Sequence, residues 1–368
     1  MKRSANAKTN NLFSYFEPRT RVLLSIALVA TIASGAIDLL NIGGHGVLLF
    51  LVSAVALAVL AALVGEGTDQ VGSHLGPGAT GVLQSALGNL PELFVAVFAL
   101  RAGLLALVQA ALIGSILGNS LLVLGLAILI GGLRHGTQKF AAELPRMVAM
   151  LTLLAVAALA VPTLATTFHT PAAGHEQQLS IACAIVVLLV FVLSIPVALK
   201  GGPLTLPKEA SVEATSWPLW LAISLLVVSG LGAALVSEWF VAALQGAMST
   251  LHLSETFTGL VVVALAGNAV EHTVGVQLAA RNKMDFAVSV ILNSSLQVAL
   301  ALIPFLVLLS LFIGGVHLTL VLPPLLVVAV GLTALLATVI TYDGESTWLE
   351  GVALVGLYCV IAAAFWWG

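Results

Sequence analysis

Apolar residues dominate the chain in long blocks, broken by short clusters of Gly, Pro, His or charge. The blocks fall at about 22–40, 46–66, 80–101, 104–131, 145–165, 179–200, 217–243, 256–280, 286–313, 318–341 and 347–367. A helix of about 20 residues crosses the hydrocarbon core of a bilayer. Only helices and closed barrels satisfy their backbone polar groups in lipid, and these continuous runs lack the alternation of barrel strands. The pattern predicts an all-α polytopic membrane protein of about 11 transmembrane helices, with the lipid bilayer as its surroundings.

Composition agrees and narrows the function. The 368 residues are 60% hydrophobic and 8% charged, with a mean hydropathy of +1.14, whereas soluble domains carry about 25% charge. The connections are too short for a large soluble catalytic domain. With 13 basic and 16 acidic residues and a net charge of −3, the chain offers no basic field for nucleic acid. Cys183 and Cys359 lie in apolar runs and suggest neither a disulfide nor a metal cluster. The first apolar block is followed by another without a small-residue cleavage pattern, so it reads as a retained span and not a signal peptide.

Charge also sets the expected orientation. Lys2, Arg3, Lys8, Arg19 and Arg21 precede the first span and place the N-terminus in the cytoplasm by the positive-inside rule. Counting 11 crossings then puts Arg134, Lys139, Arg146, Lys200, Lys208, Arg281 and Lys283 in cytoplasmic loops, so that of the 13 basic residues only Arg101 falls outside. The C-terminus is expected to be extracytoplasmic, and the short loops fit a bacterial cytoplasmic membrane. The segment Gly201–Ser216, with Lys208, Glu209 and Glu213, divides the chain. The expected organisation is 1–45 as cytoplasmic arm and first helix, 46–200 as a five-helix unit, 201–216 as cytoplasmic linker, and 217–368 as a second five-helix unit.

The two units resemble each other at an offset of 179 residues. Gly88-Asn89-Leu90-Pro91-Glu92 aligns with Gly267-Asn268-Ala269-Val270-Glu271, and Val95, Val97, Ser115 and Leu117 meet Val274, Val276, Ser294 and Leu296 without a gap. An odd number of spans per unit makes the second copy enter the membrane in the opposite sense. Inverted repeats of this kind place a site at the bilayer midplane and support alternating access.

Glu66, Glu92, Glu238 and Glu271 lie within or at the rims of spans, where a carboxylate is costly unless it faces protein, water or a cation. Asn89 with Glu92, and Asn268 with Glu271, stand at i, i+3 and share a helix face. Gly88 and Gly267 permit a local break that exposes carbonyls, and Pro91 frees one more. This all-oxygen set suits a hard divalent cation, Ca²⁺ above all. Ser115 and Asn119 in one unit, with Asn293, Ser294, Ser295 and Gln297 in the other, add hydrogen-bonding groups around the site or serve as packing between helices. Glu66 and Glu238 each precede their Gly-Asn motif by one span, where a gate or proton relay would stand. His272 points about 100° away from Glu271 around a helix and is a weak ligand.

Gly88-Asn89-Leu90-Pro91-Glu92 and Gly267-Asn268-Ala269-Val270-Glu271-His272, the latter running on to Arg281-Asn282-Lys283-Met284-Asp285, resemble the two repeat motifs of the calcium/proton antiporters within the calcium/cation antiporter superfamily. Gly65-Glu66, Ser237-Glu238 and the Ser-Ser-Leu-Gln run at 294–297 extend the resemblance over most of the chain. It implies one plus five plus five helices, Ca²⁺ coordination by the acids at 92 and 271, and assistance from those at 66 and 238. Asn89 and Asn268 favour the proton-driven branch over the sodium-driven one, whose motif usually reads Gly-Thr-Ser-x-Pro-Glu. Pro91 and Asn293 depart from the usual pattern, the latter adding a polar group near the site. The expected activity is exchange of cytoplasmic Ca²⁺ for protons, with Ca²⁺ as cargo and no resident cofactor. A sodium-coupled or manganese-preferring exchanger of the same fold, a passive channel and a membrane-embedded metalloenzyme are the competing readings. No His-Glu-x-x-His motif supports the last.

Overall fold

The computed structural model describes residues 15–40, 46–75, 83–84, 86–199 and 217–367. The expected linker 201–216, the arm 1–14 and the start of the third expected span lie outside these residues. Twelve helical segments are described: α1 (Pro18–Leu39), α2 (Gly46–Leu75), α3 (Leu90–Arg101), α4 (Leu105–His135), α5 (Glu143–Thr167), α6 (Glu176–Leu199), α7 (Leu219–Leu251), α8 (Glu255–Gly267), α9 (Ala269–Ala280), α10 (Met284–Leu309), α11 (Pro324–Ile340) and α12 (Trp348–Ala364). Among the described residues seven helices are long and apolar enough to cross a membrane, and α8 with α9, bent by 66° at the Gly-Asn break, is long and apolar enough only when the two are taken together. The 17-residue helices α11 and α12 are shorter apolar helices. This architecture is a multi-pass membrane protein, and its helices are compatible with 11 crossings.

The most buried long helices are α4 and α10, while α1 and α6 are the least buried. Each of the two central helices follows a Gly-Asn-x-x-Glu motif. Both contain a π-helical turn, at Gly118–Val123 in α4 and at Val298–Leu302 in α10. The 179-residue offset carries 118–123 onto 297–302, so the irregularity recurs at the same place in both copies. Such turns interrupt the helical ladder and are frequent at functional sites.

Basic loops gather on one face. Strands β1 (Gln138–Lys139) and β2 (Glu345–Ser346) pair antiparallel, Lys139 opposite Glu345. The amide of Phe140 donates to the Gly344 carbonyl at 2.8 Å, and that of Ala141 to the Asp285 carboxylate. His135 Nε2 meets the Ala280 carbonyl at 3.1 Å. Arg146 donates to the Tyr342 carbonyl and stands 4.5 Å over its ring. These ties hold the α4–α5, α9–α10 and α11–α12 connections together. Lys139 pairs with Glu345 at 2.7 Å in the open, and this hydrogen bond and charge hold the lysine above its usual pKa range. An exposed pair of this kind adds little stability.

The opposite face carries a departure from the sequence expectation. The block 318–341 reads as one helix, yet α11 begins only at Pro324. Residues 318–323 form neither helix nor strand and bend at Leu320, with Leu318, Leu320 and Leu322 buried. The adjacent prolines 323 and 324 explain the late start, since a residue before proline is pushed toward extended backbone. Irregular backbone is tolerated at membrane depth only where protein or a water-filled cavity satisfies it. Here side chains from four helices do so. The amides of Leu318, Leu320 and Leu322 donate to the hydroxyls of Ser310, Ser180 and Thr163, each at 2.9 Å. Thr163 donates back to the Leu320 carbonyl at 2.8 Å, and Gln109 Nε2 donates to the carbonyls of Thr319 and Val321 at 2.9 and 3.0 Å. The Val316 amide reaches the Leu100 carbonyl at the end of α3. Gln109→Leu strips two carbonyls of their donor and is expected to destabilise the purified protein by about 2 kcal/mol. A thermal melt in detergent measures this; an unshifted transition would mean that the amide does not hold the strap.

Candidate cation site

Both Gly-Asn-x-x-Glu motifs break a helix in the same way. Asn89 (φ −90°, ψ 17°) and Asn268 (φ −99°, ψ 12°) share one backbone conformation, and each stands immediately before the helix carrying its glutamate, α3 or α9. Pro91 occupies the first turn of α3, where an amide has no helical partner in any case. Gly88 lies against the preceding turn: its amide donates to the Gln84 carbonyl at 2.8 Å, and a Cβ there would come within 2.6 Å of that oxygen.

The motifs meet. A Cβ on Gly267 would lie 2.9 Å from Glu92 Cγ and 3.2 Å from its Oε1, so the glutamate of the first copy rests on the glycine of the second. Glu92 and Glu271 repel one another electrostatically. Four polar contacts join the copies around them. Asn268 Nδ2 donates to Ser115 Oγ at 3.0 Å, and Asn89 Nδ2 reaches Gln297 Oε1 at 3.5 Å. Asn119 Nδ2 donates to Ser294 Oγ at 2.8 Å, and the hydroxyls of Ser120 and Ser295 are 2.8 Å apart. Ser294 in turn donates to Glu271 Oε2.

The hydrogen bonds leave a distinctive remainder. Asn89 Oδ1, Glu92 Oε2 and Asn268 Oδ1 are buried and receive no hydrogen bond. Buried acceptors are almost always paired, so these three unpaired oxygens on the two meeting motifs make them a candidate position for a positively charged or protonated group. Among the described residues no three of His, Cys, Asp and Glu gather as a metal cluster. Amide and hydroxyl groups of Asn89, Asn268, Ser115 and Ser294 stand around the two carboxylates, and oxygen ligands of this kind suit a hard cation.

A crevice leaves this site. Its cavity volume is about 20 Å³, between α3, α4 and α8, lined by Glu92, Ser115 and small apolar residues such as Ala96, Ala99, Ala111 and Ala264. Leu107 and Val108 also line it, beside the Gln109 that clamps the strap.

Not every singled-out residue is brought here. Glu66 is half-buried. It stands one helical turn before Gln70 on α2, within reach of the charges of Glu17 and Arg19. Gln70 Oε1 accepts from the Trp217 amide at 3.2 Å. Glu66 thus sits on the face where α1 and α7 begin. Glu238 is exposed on α7, and no contact ties it to the carboxylate pair. Two residues gain importance that the sequence pattern did not give them. Asp69 accepts from Gln84 Nε2 at 2.6 Å, linking the Glu66 turn to the residue four positions before Gly88. The His272 ring faces α4, about 4.0 Å from where a Gly118 Cβ would be, with Nε2 buried and unpaired. Its adjacency to Glu271 was the available signal.

A multi-pass helical bundle with two like motifs meeting in its interior is an architecture found among membrane transporters. The chain belongs to the sodium/calcium exchanger protein family, whose profile matches residues 45–200 and again 221–367. Within that family it belongs with the calcium/proton antiporters. It is 37% identical over 335 residues to the Ca(2+)/H(+) antiporter of Aphanothece halophytica, covering 86% of this chain and 89% of that one. It is 33% identical over 322 residues to the Ca(2+)/H(+) antiporter ChaA of Bacillus subtilis, covering 86% and 91%. The solved structure of native YfkE superposes with a TM-score of 0.79 at 29% identity, covering 94% of this chain and 99% of that one. The H+/Ca2+ exchanger CAX shares the fold, with a TM-score of 0.75 at 17% identity over 95% and 92% of the two chains.

Proposed function

We propose that the protein is a secondary antiporter exchanging cytoplasmic Ca²⁺ for protons by alternating access at a midplane site. Glu92 and Glu271 are the charged ligands, Asn89 and Asn268 supply amide oxygens, and Gly88 and Gly267 allow the backbone breaks. Ser115, Ser294 and Gln297 orient these groups. Glu66 stands at the cytoplasmic mouth, and Glu238 belongs to the opposite half of the membrane by the inverted symmetry. The observation that carries the reading is the trio of buried acceptors without donors, Asn89 Oδ1, Glu92 Oε2 and Asn268 Oδ1. The names of the relatives, Ca(2+)/H(+) antiporter in cyanobacterial and Bacillus proteins, support the choice of ions.

The coupling follows from electrostatics. Two bare carboxylates facing each other inside the bilayer form a costly state. Ca²⁺ removes that cost when it binds, and protons remove it when the ion has left. The empty, charged site resists crossing, so each ion moves one way only when the other has moved back. Conserving this barrier is what separates an exchanger from a pore.

The positive-inside rule, applied to the basic loops that share one face, supports a cytoplasmic N-terminus and an extracytoplasmic C-terminus. The bacterial relatives favour a cytoplasmic membrane. The two five-helix units are 46–200 and 217–368, joined by a cytoplasmic linker at 201–216.

Purified protein in liposomes loaded with a fluorescent Ca²⁺ indicator tests the proposal. Ca²⁺ flux is expected to follow an imposed pH gradient, to reverse when the gradient is reversed, and to need no Na⁺. Flux driven by a Na⁺ gradient at constant pH would instead assign the sodium-coupled mode. Preferential movement of Mn²⁺ would reassign the cargo, and unitary currents would overturn alternating access.

A further inference from the structure

The two site carboxylates are held differently, although the motifs that carry them are alike. Glu271 Oε2 accepts from Ser294, and Ser294 Oγ accepts from Asn119 Nδ2 at 2.8 Å. This two-step chain starts on α4 in the first copy and ends on a carboxylate of the second. Asn119 and Ser294 are 1% and 3% exposed, so both are shielded from bulk solvent. Among the described residues no like chain reaches Glu92. The 179-residue offset matches Asn119 with Val298, which has no donor to give. Ser115, the counterpart of Ser294, spends its hydroxyl hydrogen on the Ala111 carbonyl at 3.1 Å and receives Asn268 instead. Glu92 keeps a buried Oε2 without a partner and lines the crevice.

We infer that Asn119 is a positioning residue for ion binding: it fixes the Ser294 hydroxyl toward Glu271, making Glu271 the held ligand and Glu92 the movable one. The Asn119 amide fills the acceptor side of the Ser294 hydroxyl, which leaves its hydrogen committed to the carboxylate. Glu271 then presents its remaining oxygen in one orientation whether or not an ion is present. Glu92, resting on Gly267 beside the crevice, carries the rearrangement that occupancy requires. The π-helical turn at Gly118–Val123 serves this arrangement, since the consecutive residues Asn119 and Ser120 both reach across to α10. This inference rests on the reading of Glu271 as an ion ligand.

The test uses initial rates of pH-driven Ca²⁺ uptake by the full-length protein in liposomes. Asn119→Leu is expected to raise the KM for Ca²⁺ about tenfold with little change in maximal rate, as expected for loss of a hydrogen-bond chain to a charged group. Because Asn119 acts through Ser294, the double variant with Ser294→Ala is expected to have the KM of Ser294→Ala alone. Ser120→Ala removes a contact between the same two helices that touches no carboxylate, and is expected to leave KM within about twofold of wild type. Should Asn119→Leu not yield folded protein, Asn119→Ala is read in the same way. Additive effects of Asn119 and Ser294, an equal KM rise in Ser120→Ala, or an unchanged KM in both Asn119 variants would overturn the inference. Normal uptake by Glu271→Gln would instead remove the site reading beneath it.

Discussion

Glu92→Gln and Glu271→Gln are each expected to lower pH-driven Ca²⁺ uptake at least 100-fold, an order-of-magnitude figure above the ~10–100-fold cost of altering groups that merely support a ligand. Glutamine matches glutamate in shape, so Glu92 still packs on Gly267 and Glu271 still has an oxygen for Ser294 to donate to. What disappears is one negative charge and one exchangeable proton. A cation then meets half the charge that the site evolved to neutralise, and the empty site no longer repels itself. Uptake into liposomes or inverted vesicles measures the loss, with a melt showing that the variants fold. Wild-type uptake by either variant would remove that residue from the site.

Gly114→Val is expected to be the most damaging change away from the carboxylates. At the crossing of α4 and α8 the two backbones touch through glycines. A Cβ on Gly114 would lie 2.7 Å from Leu260 Cα, and one on Gly259 would lie 2.9 Å from Ala110 Cβ. Close approach through small residues is the usual means of packing membrane helices, because no hydrophobic effect operates between them in lipid. Overpacking a core costs about 1–3 kcal/mol where side chains can yield; here the obstacle is backbone, and a loss beyond about 3 kcal/mol is expected. The readout is the fraction of monodisperse protein and its melting temperature in detergent. Gly331→Ala provides the comparison, since open space surrounds its Cβ position, and is expected to melt as wild type does. A Gly114→Val protein as stable as the wild type would mean that α4 and α8 separate freely.

The helical class, the number of apolar blocks and the doubled motif were legible because they are properties of contiguous sequence. Hydropathy is summed along the chain, and Asn89 with Glu92 shares a helix face by spacing alone. The block 318–341 shows the limit of that method. Leu318, Leu320 and Leu322 are as apolar as helix residues, but prolines 323 and 324 and the hydrogen-bond partners at Gln109, Ser180 and Thr163 make an irregular strap the satisfied conformation. The prolines were visible in the sequence; the side chains that satisfy the strap, 140 or more positions away, were not identifiable as partners. Glu66 and Glu238 teach the same point from the other side. Each precedes its motif by one span, though at a different spacing, which suggested a gate or proton relay, yet one is half-buried beside Gln70 while the other is exposed on α7.

The amino-acid order alone determined a membrane-spanning helical chain with two related halves and a carboxylate in each, because lipid imposes its constraint residue by residue on any backbone that enters it. Tertiary structure alone decided that Glu92 rests on Gly267, that Asn119 answers to Ser294, and that the two acids are held unequally. Those outcomes depend on which helices cross and at what rotation, and side chains separated by 175 positions acquire a common position only when the whole bundle packs.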